Sequence, residues 1–385
     1  MNFTESDEQQ ALRAAAADLA RKYGHEYYAK QARGGGRLTE LWQEAAKLGF
    51  IGVNLPEQYG GGGAGMYELA IVLEELAAAG CGLLMMVVSP AICGTIIARF
   101  GTPEQKQEWL PKIASGSSIL AFGITEPDAG SNSHNLTTVA TRDGDTWLLS
   151  GRKIYISGVD EAEAVLIVGR TADAKTGRLR PALFVVPTGT PGFAYQPIDM
   201  DIVMPEKQYL LFLDDVRLPA SALVGEEGAA LQQLFAGLNP ERIMASAMAI
   251  GSARFALDKA IGYARERTVW SVPIGAHQGL AHPLAQVKIE LELARLMMQK
   301  AATLYDQGDD MAAGEAANMA KYSAAEASVR TVDQAIQTLG GSAMTREFGL
   351  ASMLANVRTT RIAPVSREMI LNFVAQYSLG LPKSY

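Results

Sequence analysis

Cysteine and histidine are scarce in this 385-residue chain, which contains two of the former and four of the latter. Cys81 and Cys93 lie in an apolar stretch without the CxxC spacing of a zinc or redox site, so we expect two reduced, buried thiols. The four histidines form no HExxH pattern. We therefore expect no metal site.

Positive charge is also limited, because 34 Lys and Arg face 41 Asp and Glu and give a net charge of −7. This balance disfavours non-specific binding to nucleic acid or to anionic membranes. The first eight residues are polar and acidic rather than basic and apolar, which is not the pattern of a signal peptide. We expect a cytoplasmic protein.

Charged residues are absent between Glu75 and Arg99, a run long enough to span a bilayer. The Ser89-Pro90 step near its middle disfavours one continuous helix. The sequence therefore predicts two shorter helices buried in the core, with no stable membrane insertion.

The apolar periodicity divides the chain into three segments. Residues 1–118 show a helical period, residues 119–228 show short apolar runs with period two separated by Pro/Gly turns, and residues 229–385 return to the helical period. On the third segment, Val287, Leu291, Ala294 and Met298 form one apolar stripe. We predict an α+β multidomain protein with an N-terminal α-helical domain, a middle antiparallel β-barrel or sandwich and a C-terminal four-helix bundle.

The best-defined elements of this pattern are three helices and five strands. The predicted helices are Asp7–Arg21, Leu38–Gly49 and Tyr67–Ala79, and the predicted strands are Thr146–Leu149, Lys153–Ile156, Ala164–Val168, Ala182–Val186 and Tyr209–Leu213.

One loop, from Phe122 to Ser131, reads FGITEPDAGS and places hydroxyls and backbone N–H groups close together. It closely resembles the TEP-x-AGS signature of the acyl-CoA dehydrogenase family. Further landmarks follow in the family's order: Gly151–Ser157, Asp214–Pro219, Glu241-Arg242, Arg267–Trp270 and Gln337–Gly341. The resemblance covers essentially the whole chain. It implies FAD bound between the β domain and the C-terminal bundle of a homotetramer or homodimer, an acyl-CoA substrate and an electron-transfer flavoprotein as electron acceptor.

The resemblance also assigns residues to the flavin. Thr125 and the backbone around Phe122 and Ile124 would contact the isoalloxazine ring, and Ser131 would contact flavin or a CoA phosphate. Tyr155 stands where the family commonly has a Trp beside the ring, and Ser157 where it has a Thr near N5. An aromatic face and a hydroxyl are both retained, although Tyr155 could equally be an ordinary strand aromatic.

A second set matches positions at which one subunit reaches the FAD of its neighbour; its members are Arg267, Gln278, Gln337, Gly340 and Gly341. An Arg fork suits a pyrophosphate, and paired glycines allow a close approach of the backbone. Trp270-Ser271 replaces the usual Phe-Gly after this arginine, which puts the local packing in doubt. A surface ion pair is the alternative role of Arg267.

The catalytic base is the main departure from the family pattern. Most members carry it as the Glu of a C-terminal E-G-T, which is missing from residues 361–369 here. A minority places it directly before an Arg on the first bundle helix, a position that Glu241 occupies. By resemblance Asn239 and Arg242 contact the substrate, yet Asn239-Pro240 is also a good helix start. Glu368 is the alternative base, and a base at neither position is the remaining possibility.

Our preferred function is an FAD-dependent acyl-CoA dehydrogenase of fatty acid β-oxidation that forms a 2,3-enoyl thioester. An oxidase or an acyl-carrier-protein-linked dehydrogenase on the same scaffold stays open, as does a flavin-binding homologue without activity. The acidic composition speaks against a nucleic-acid-binding homologue.

Overall fold

The computed structural model describes residues 4–173, 175–227 and 230–384. Within them the chain runs through helices, a sheet and then helices again. The N-terminal helices are α1 (Asp7–Gly34), α2 (Thr39–Lys47), α3 (Met66–Ala78), α4 (Leu84–Met86), α5 (Thr95–Phe100) and α6 (Pro103–Ala114).

The first helix begins where its sequence provides a cap. The Ser6 hydroxyl accepts a hydrogen bond from the Gln9 backbone N–H at 3.2 Å, and the Gln9 side chain accepts one from the Ser6 N–H at 3.0 Å. Within α1, Gly24 adopts a φ of 65°, so the helix is interrupted just beyond the predicted end at Arg21. The other two predicted N-terminal helices are confirmed to within two residues as α2 and α3.

The uncharged stretch does not divide where the sequence predicted. It divides at residues 79–83, whereas Ser89-Pro90 lies inside a π-helical segment, Val87–Gly94, which joins α4 to α5. The Pro90 carbonyl accepts hydrogen bonds from side chains, Asn54 at 3.3 Å and Thr95 at 3.4 Å. The π-helical spacing accommodates the missing N–H of proline without a break. The segment is buried, as predicted.

The middle segment forms one eight-stranded sheet that is mostly antiparallel. Its strands are β1 (Leu120–Gly123), β2 (Val139–Asp143), β3 (Thr146–Ser157), β4 (Ala164–Ala172), β5 (Leu179–Pro187), β6 (Phe193–Ile198), β7 (Gln208–Pro219) and β8 (Leu223–Val224). Their order is β6-β7-β3-β2-β4-β5-β8, with β1 paired in parallel to β4. The two short runs predicted between residues 146 and 156 are one long strand, β3, with register shifts in its pairing to β7.

The C-terminal segment is a helical bundle. It contains α7 (Ala230–Glu266), the hairpin β9 (Thr268–Val269) and β10 (Val272–Pro273), α8 (Gln278–Asp306), α9 (Asp310–Leu339), α10 (Leu350–Thr359) and α11 (Arg367–Phe373). The predicted stripe on α8 is buried, and α7 and α8 both pack along α9.

The alternative interpretation of Asn239-Pro240 as a helix start is wrong. Asn239 and Pro240 lie inside α7, not at its beginning, because packing extends this helix back to Ala230. Asn239 is 5% exposed, and its side-chain amide donates to the Asp310 carbonyl at 3.3 Å instead of capping a helix. Tertiary contacts have overridden a good local capping sequence.

Both thiols are free and buried, as predicted. In the described ranges, no helix is long and apolar enough to cross a membrane, and no group of His, Cys, Asp and Glu is arranged to hold a metal ion. The predicted segment boundaries at residues 118/119 and 228/229 stay predictions, and the second of them lies outside the described residues.

Candidate active site

A buried ion pair holds the loop after β1 in place. The Glu126 carboxylate accepts hydrogen bonds from the Thr137 N–H at 2.6 Å, the Thr138 N–H at 2.9 Å and the Lys153 ammonium at 2.8 Å. The same ammonium donates to the Ile124 carbonyl at 3.0 Å. Glu126 is therefore a structural residue that ties the loop to β3 and to the start of β2.

Both partners of this pair are inaccessible to water. Burial raises the pKa of Glu126, but hydrogen bonds from Lys153 and from residues 137 and 138 outweigh it and lower the pKa to about 2. Burial lowers the pKa of Lys153 to about 8, against the opposing effect of Glu126. At neutral pH both groups are therefore charged, and each satisfies the other.

The predicted flavin residues of β3 lie beside this loop. The Ile154 N–H donates to the Thr125 carbonyl at 2.9 Å, which places Tyr155 next to the loop. Tyr155 has a φ of 59° at the register shift between Lys153 and Ile156, and it is 57% exposed. A non-glycine residue in the left-handed region at a bulge is strained, a feature typical of functional sites.

The second predicted flavin residue of β3 has a specific partner. The Ser157 hydroxyl and the Gln208 side-chain amide are hydrogen-bonded at 3.0 to 3.1 Å, which fixes the position of the hydroxyl. A Cβ built on Gly158 would lie 2.6 Å from the Met85 sulfur, so α4 packs closely against the end of β3. The remaining predicted residues of this set are Phe122, which is buried, Ile124, which is partly buried, and Ser131, which is exposed.

Cys93, in the π-helical segment, lies near both β1 and Glu241, the favoured base. The Cys93 thiol donates to the Ala121 carbonyl of β1 at 3.4 Å. Burial, and then the Glu241 carboxylate, raise the pKa of this thiol. The π-helical segment therefore lies between the strand that leads into the loop and the carboxylate on α7.

Glu241 has the electrostatic character of a general base. The residue is half-buried, and burial raises the pKa of its carboxyl to about 7, although Arg242 and Lys321 both oppose this. Lys321 on α9 is 2% exposed and donates a hydrogen bond to the Val365 carbonyl. Burial and the neighbouring Arg242 lower the pKa of Lys321 to about 8.

The other predicted substrate contacts lie inside the protein. Arg242 is 7% exposed, and its guanidinium donates to the carbonyl of Leu238, one turn earlier, at 2.8 Å. Burial lowers its pKa. Asn239 is similarly enclosed against α9. Neither side chain is therefore presented on the outer surface of the protein.

Glu368 occupies a different environment. It lies in the first turn of α11, which is capped by Ser366, and its carboxylate accepts a hydrogen bond from Arg367 at 2.8 Å. Its side chain is 68% exposed. Glu368 is therefore a solvent-exposed, ion-paired carboxylate and lacks the partly buried setting of Glu241.

The second predicted FAD set gathers at one end of the bundle. Because α7, α8 and α9 alternate in direction, the end of α7, the start of α8 and the end of α9 meet there. The side chains or backbones of all five members are exposed: Arg267, Gln278, Gln337, Gly340 and Gly341. Within the described ranges no carboxylate forms a salt bridge with the Arg267 guanidinium.

Sequence reasoning missed three side chains of this site. The burial of Lys153 could have been predicted from the alternation of β3, because Lys153 lies on the same, inward-facing side of the strand as Trp147 and Leu149. Lys321 and Gln208 gave no such signal, because their partners are distant in sequence.

Fold and site together define a class of protein: a scaffold of helices and one sheet that carries a partly buried carboxyl on α7 and an exposed aromatic ring and a fixed hydroxyl on β3, groups of the kind that a flavin oxidoreductase uses. Three family descriptions match the chain: "Acyl-CoA dehydrogenase, N-terminal domain" over residues 6–117, "middle domain" over 121–216 and "C-terminal domain" over 228–379.

Curated relatives and solved structures agree. Acyl-CoA dehydrogenase FadE12 of Mycobacterium tuberculosis is 67% identical over 384 residues, which cover 100% of this chain and 99% of the relative. A glutaryl-coenzyme A dehydrogenase in complex with glutaryl-CoA superposes with a TM-score of 0.95 at 30% identity, covering 100% of this chain and 98% of the other. A glutaryl-CoA dehydrogenase from Mycobacterium smegmatis in complex with FADH2 gives 0.90 at 28% identity, covering 99% and 96%.

The chain therefore belongs to the acyl-CoA dehydrogenase family and is an FAD-dependent oxidoreductase. The residues present fit the cofactor. Tyr155 offers an exposed aromatic face, Ser157 a fixed hydroxyl and Arg267 an exposed guanidinium without a carboxylate partner in the described part of the chain.

Proposed function

We propose that this enzyme desaturates an acyl-CoA thioester between its α and β carbons, with Glu241 as the base that removes the α-proton. The observation that carries the proposal is the partly buried carboxyl of Glu241, whose pKa is raised to about 7 and which lies on a helix packed against the Cys93-bearing segment that also contacts β1. A general base is most effective when its pKa lies near the operating pH.

The chain's own residues would divide the work as follows. Glu241 takes the proton, while Arg242 and Lys321 supply positive charge that keeps a fraction of the carboxyl ionised at neutral pH. Thr125, Tyr155 and Ser157 orient the flavin, with Phe122 and Ile124 contributing backbone. FAD supplies an acceptor for the β-hydride at N5. Ser131, Asn239 and Arg242 are the proposed substrate contacts.

The second set of FAD residues would act on a neighbouring subunit. Its exposure at the end of the bundle supports this, as does an apolar stripe on α8 in which Ile289 and Leu293 are about three-fifths exposed. Residues four apart on a helix form a continuous face, and an uncovered apolar face of this kind suits a second copy. We propose a homo-oligomer, with a homotetramer preferred over a homodimer, and an electron-transfer flavoprotein as the acceptor.

The test is an anaerobic titration of the holoenzyme with straight-chain, branched and aromatic acyl-CoAs, followed by flavin absorbance. Wild type, Glu241→Gln and Glu368→Gln are compared. We expect one acyl class to bleach the wild-type flavin, Glu241→Gln to slow bleaching by about 10³-fold and Glu368→Gln to leave it within a factor of about three.

Other outcomes identify other functions. Loss of bleaching only in Glu368→Gln would transfer the base to that residue. A wild-type flavin that stays oxidised with every acyl-CoA, but is bleached by an acyl-carrier-protein thioester, would favour that carrier. Reoxidation of the product enzyme by oxygen as fast as turnover would indicate an oxidase. A flavin that no thioester reduces would leave a non-catalytic homologue.

A further inference from the structure

The helix that carries Glu241 contains a proline where an α-helix requires a backbone donor. Pro240 has no N–H, so the carbonyl of Ala236, four residues earlier, lacks its intrahelical partner. Ala236 is only 4% exposed. An orphan carbonyl at such a position costs stability unless another donor replaces the missing one.

A tyrosine from a different helix supplies that donor. The hydroxyl of Tyr305, near the end of α8, donates to the Ala236 carbonyl at 2.9 Å. The same hydroxyl accepts a hydrogen bond from Arg99 of α5 at 3.3 Å. Arg99 in turn forms a two-pronged salt bridge with Asp310 at 2.7 and 3.0 Å, so the tyrosine is held on both sides.

The opposite side of this helical turn is also fixed. A Cβ built on Gly237 would lie 2.5 Å from Ile96 Cδ1, so the backbone of α7 lies directly against α5. The Asn239 amide donates to the Asp310 carbonyl at 3.3 Å. The turn that ends at Pro240 is therefore clamped between α5 and the α8–α9 connection, one residue before Glu241.

From these contacts we infer that Tyr305 is a positioning residue: its hydroxyl replaces the hydrogen bond that Pro240 removes and so fixes the direction in which Glu241 leaves α7. The inference rests on the proposed role of Glu241. Without the hydroxyl, the Ala236 carbonyl can tilt outwards, and the turn opens. Because proton abstraction depends on sub-ångström placement of the base, such a shift slows the reaction far more than it weakens substrate binding.

A double-mutant cycle tests this inference. In Pro240→Ala the new backbone N–H can donate to Ala236, so the hydroxyl of Tyr305 becomes redundant. We compare wild-type holoenzyme, Tyr305→Phe, Pro240→Ala and the double variant Pro240→Ala/Tyr305→Phe. Tyr23→Phe, a partly buried tyrosine of α1, is the matched control.

Tyr305→Phe is expected to lower the rate of flavin reduction at saturating acyl-CoA by about tenfold, with the Kd for acyl-CoA within a factor of about two of wild type. Pro240→Ala is expected to remain within about threefold. In the Pro240→Ala background, Tyr305→Phe should have almost no further effect. Amide hydrogen exchange across residues 236–246 should accelerate in Tyr305→Phe and return to the wild-type rate in the double variant.

A tenfold loss of the same size in both backgrounds would overturn the inference, as would an effect confined to Kd. If Tyr305→Phe does not fold, the double variant decides: the inference requires it to fold and to match Pro240→Ala in rate. Glu241→Gln is measured alongside. Full activity in that variant defeats the base assignment itself, whereas an inactive Glu241→Gln with an additive cycle defeats only the role of Tyr305.

Discussion

The carboxylate of Glu126 lies 2.8 Å from the ammonium of Lys153, with 2% or less of either side chain exposed. The pair joins the loop after β1 to the central strand β3, so the loop cannot move independently of Tyr155 and Ser157. The shape of the Phe122–Ser131 loop therefore depends on a buried contact of one of its own residues, Glu126.

Breaking this pair should be costly. We expect Glu126→Gln or Lys153→Met to lower the free energy of unfolding by about 3 to 5 kcal/mol, because each leaves an uncompensated buried charge. In the double variant the free energy of unfolding should fall by less than the sum of the two single effects. Urea unfolding followed by circular dichroism measures these free energies. The surface pair Lys112–Glu163, at the same 2.7 to 2.8 Å but about two-fifths exposed, is the control, and its removal should cost under about 1 kcal/mol.

The raised pKa of Glu241 should appear in both rate and stability. Flavin reduction should halve near pH 7 and fall on the acid side, because only the carboxylate can accept the proton. The folded state binds a proton that the unfolded chain has already released between pH about 4.5 and 7, so the free energy of unfolding falls across that window.

Glu241→Gln removes this penalty. At about pH 8 its free energy of unfolding should exceed that of wild type by on the order of 2 kcal/mol, and the difference should vanish below about pH 4. Thermal unfolding at the two pH values measures it. If Glu241→Gln matched wild type in free energy of unfolding at both pH values, the pKa of the Glu241 carboxyl would not be raised by folding.

Lys321 should lower the pH at which the rate of flavin reduction is half its maximum. Glu241 is faced by two cations, Arg242 and Lys321, and by the neutral Cys93 thiol; Lys321 is also faced by Glu326 and Glu368. Removing the ammonium disfavours the carboxylate, so Lys321→Met should move the midpoint of flavin reduction up by about one pH unit. Lys300→Met, an exposed lysine of α8, should leave the midpoint unchanged.

The pH profile separates this effect from damage to the fold. Loss of the hydrogen bond to Val365 alone would lower the rate of flavin reduction by the same factor at every pH, so the plateau would fall and the midpoint would not move. A lower plateau with an unshifted midpoint would therefore contradict an electrostatic role for Lys321.

Tyr155 should show a trade-off between stability and cofactor binding. Its φ of 59° costs a side chain about 1 kcal/mol, so Tyr155→Gly should stabilise the FAD-free protein slightly. Loss of the aromatic face should weaken FAD binding several-fold. Flavin fluorescence titration measures the affinity. Tyr195→Gly, an exposed aromatic on the regular strand β6, should instead destabilise the protein and leave FAD affinity unaltered.

The succession of helical, β and helical segments follows from the amino-acid order alone, because hydrophobic period depends only on local order along the chain. The family also follows from that order, through contiguous motifs such as Phe122–Ser131, as does the burial of Val287 and Met298 on α8.

The contrast between Glu241 and Glu368 depends instead on tertiary contacts. Both are single glutamates near an arginine, and they differ in burial and in partners contributed by distant helices. The same cause explains the misplaced start of α7: Asn239-Pro240 has the local pattern of a cap, but Tyr305, 65 positions further along the chain from Pro240, replaces the missing hydrogen bond and lets the helix pass through. Contacts between residues far apart in sequence leave no period or motif, so they become visible only when the chain is folded.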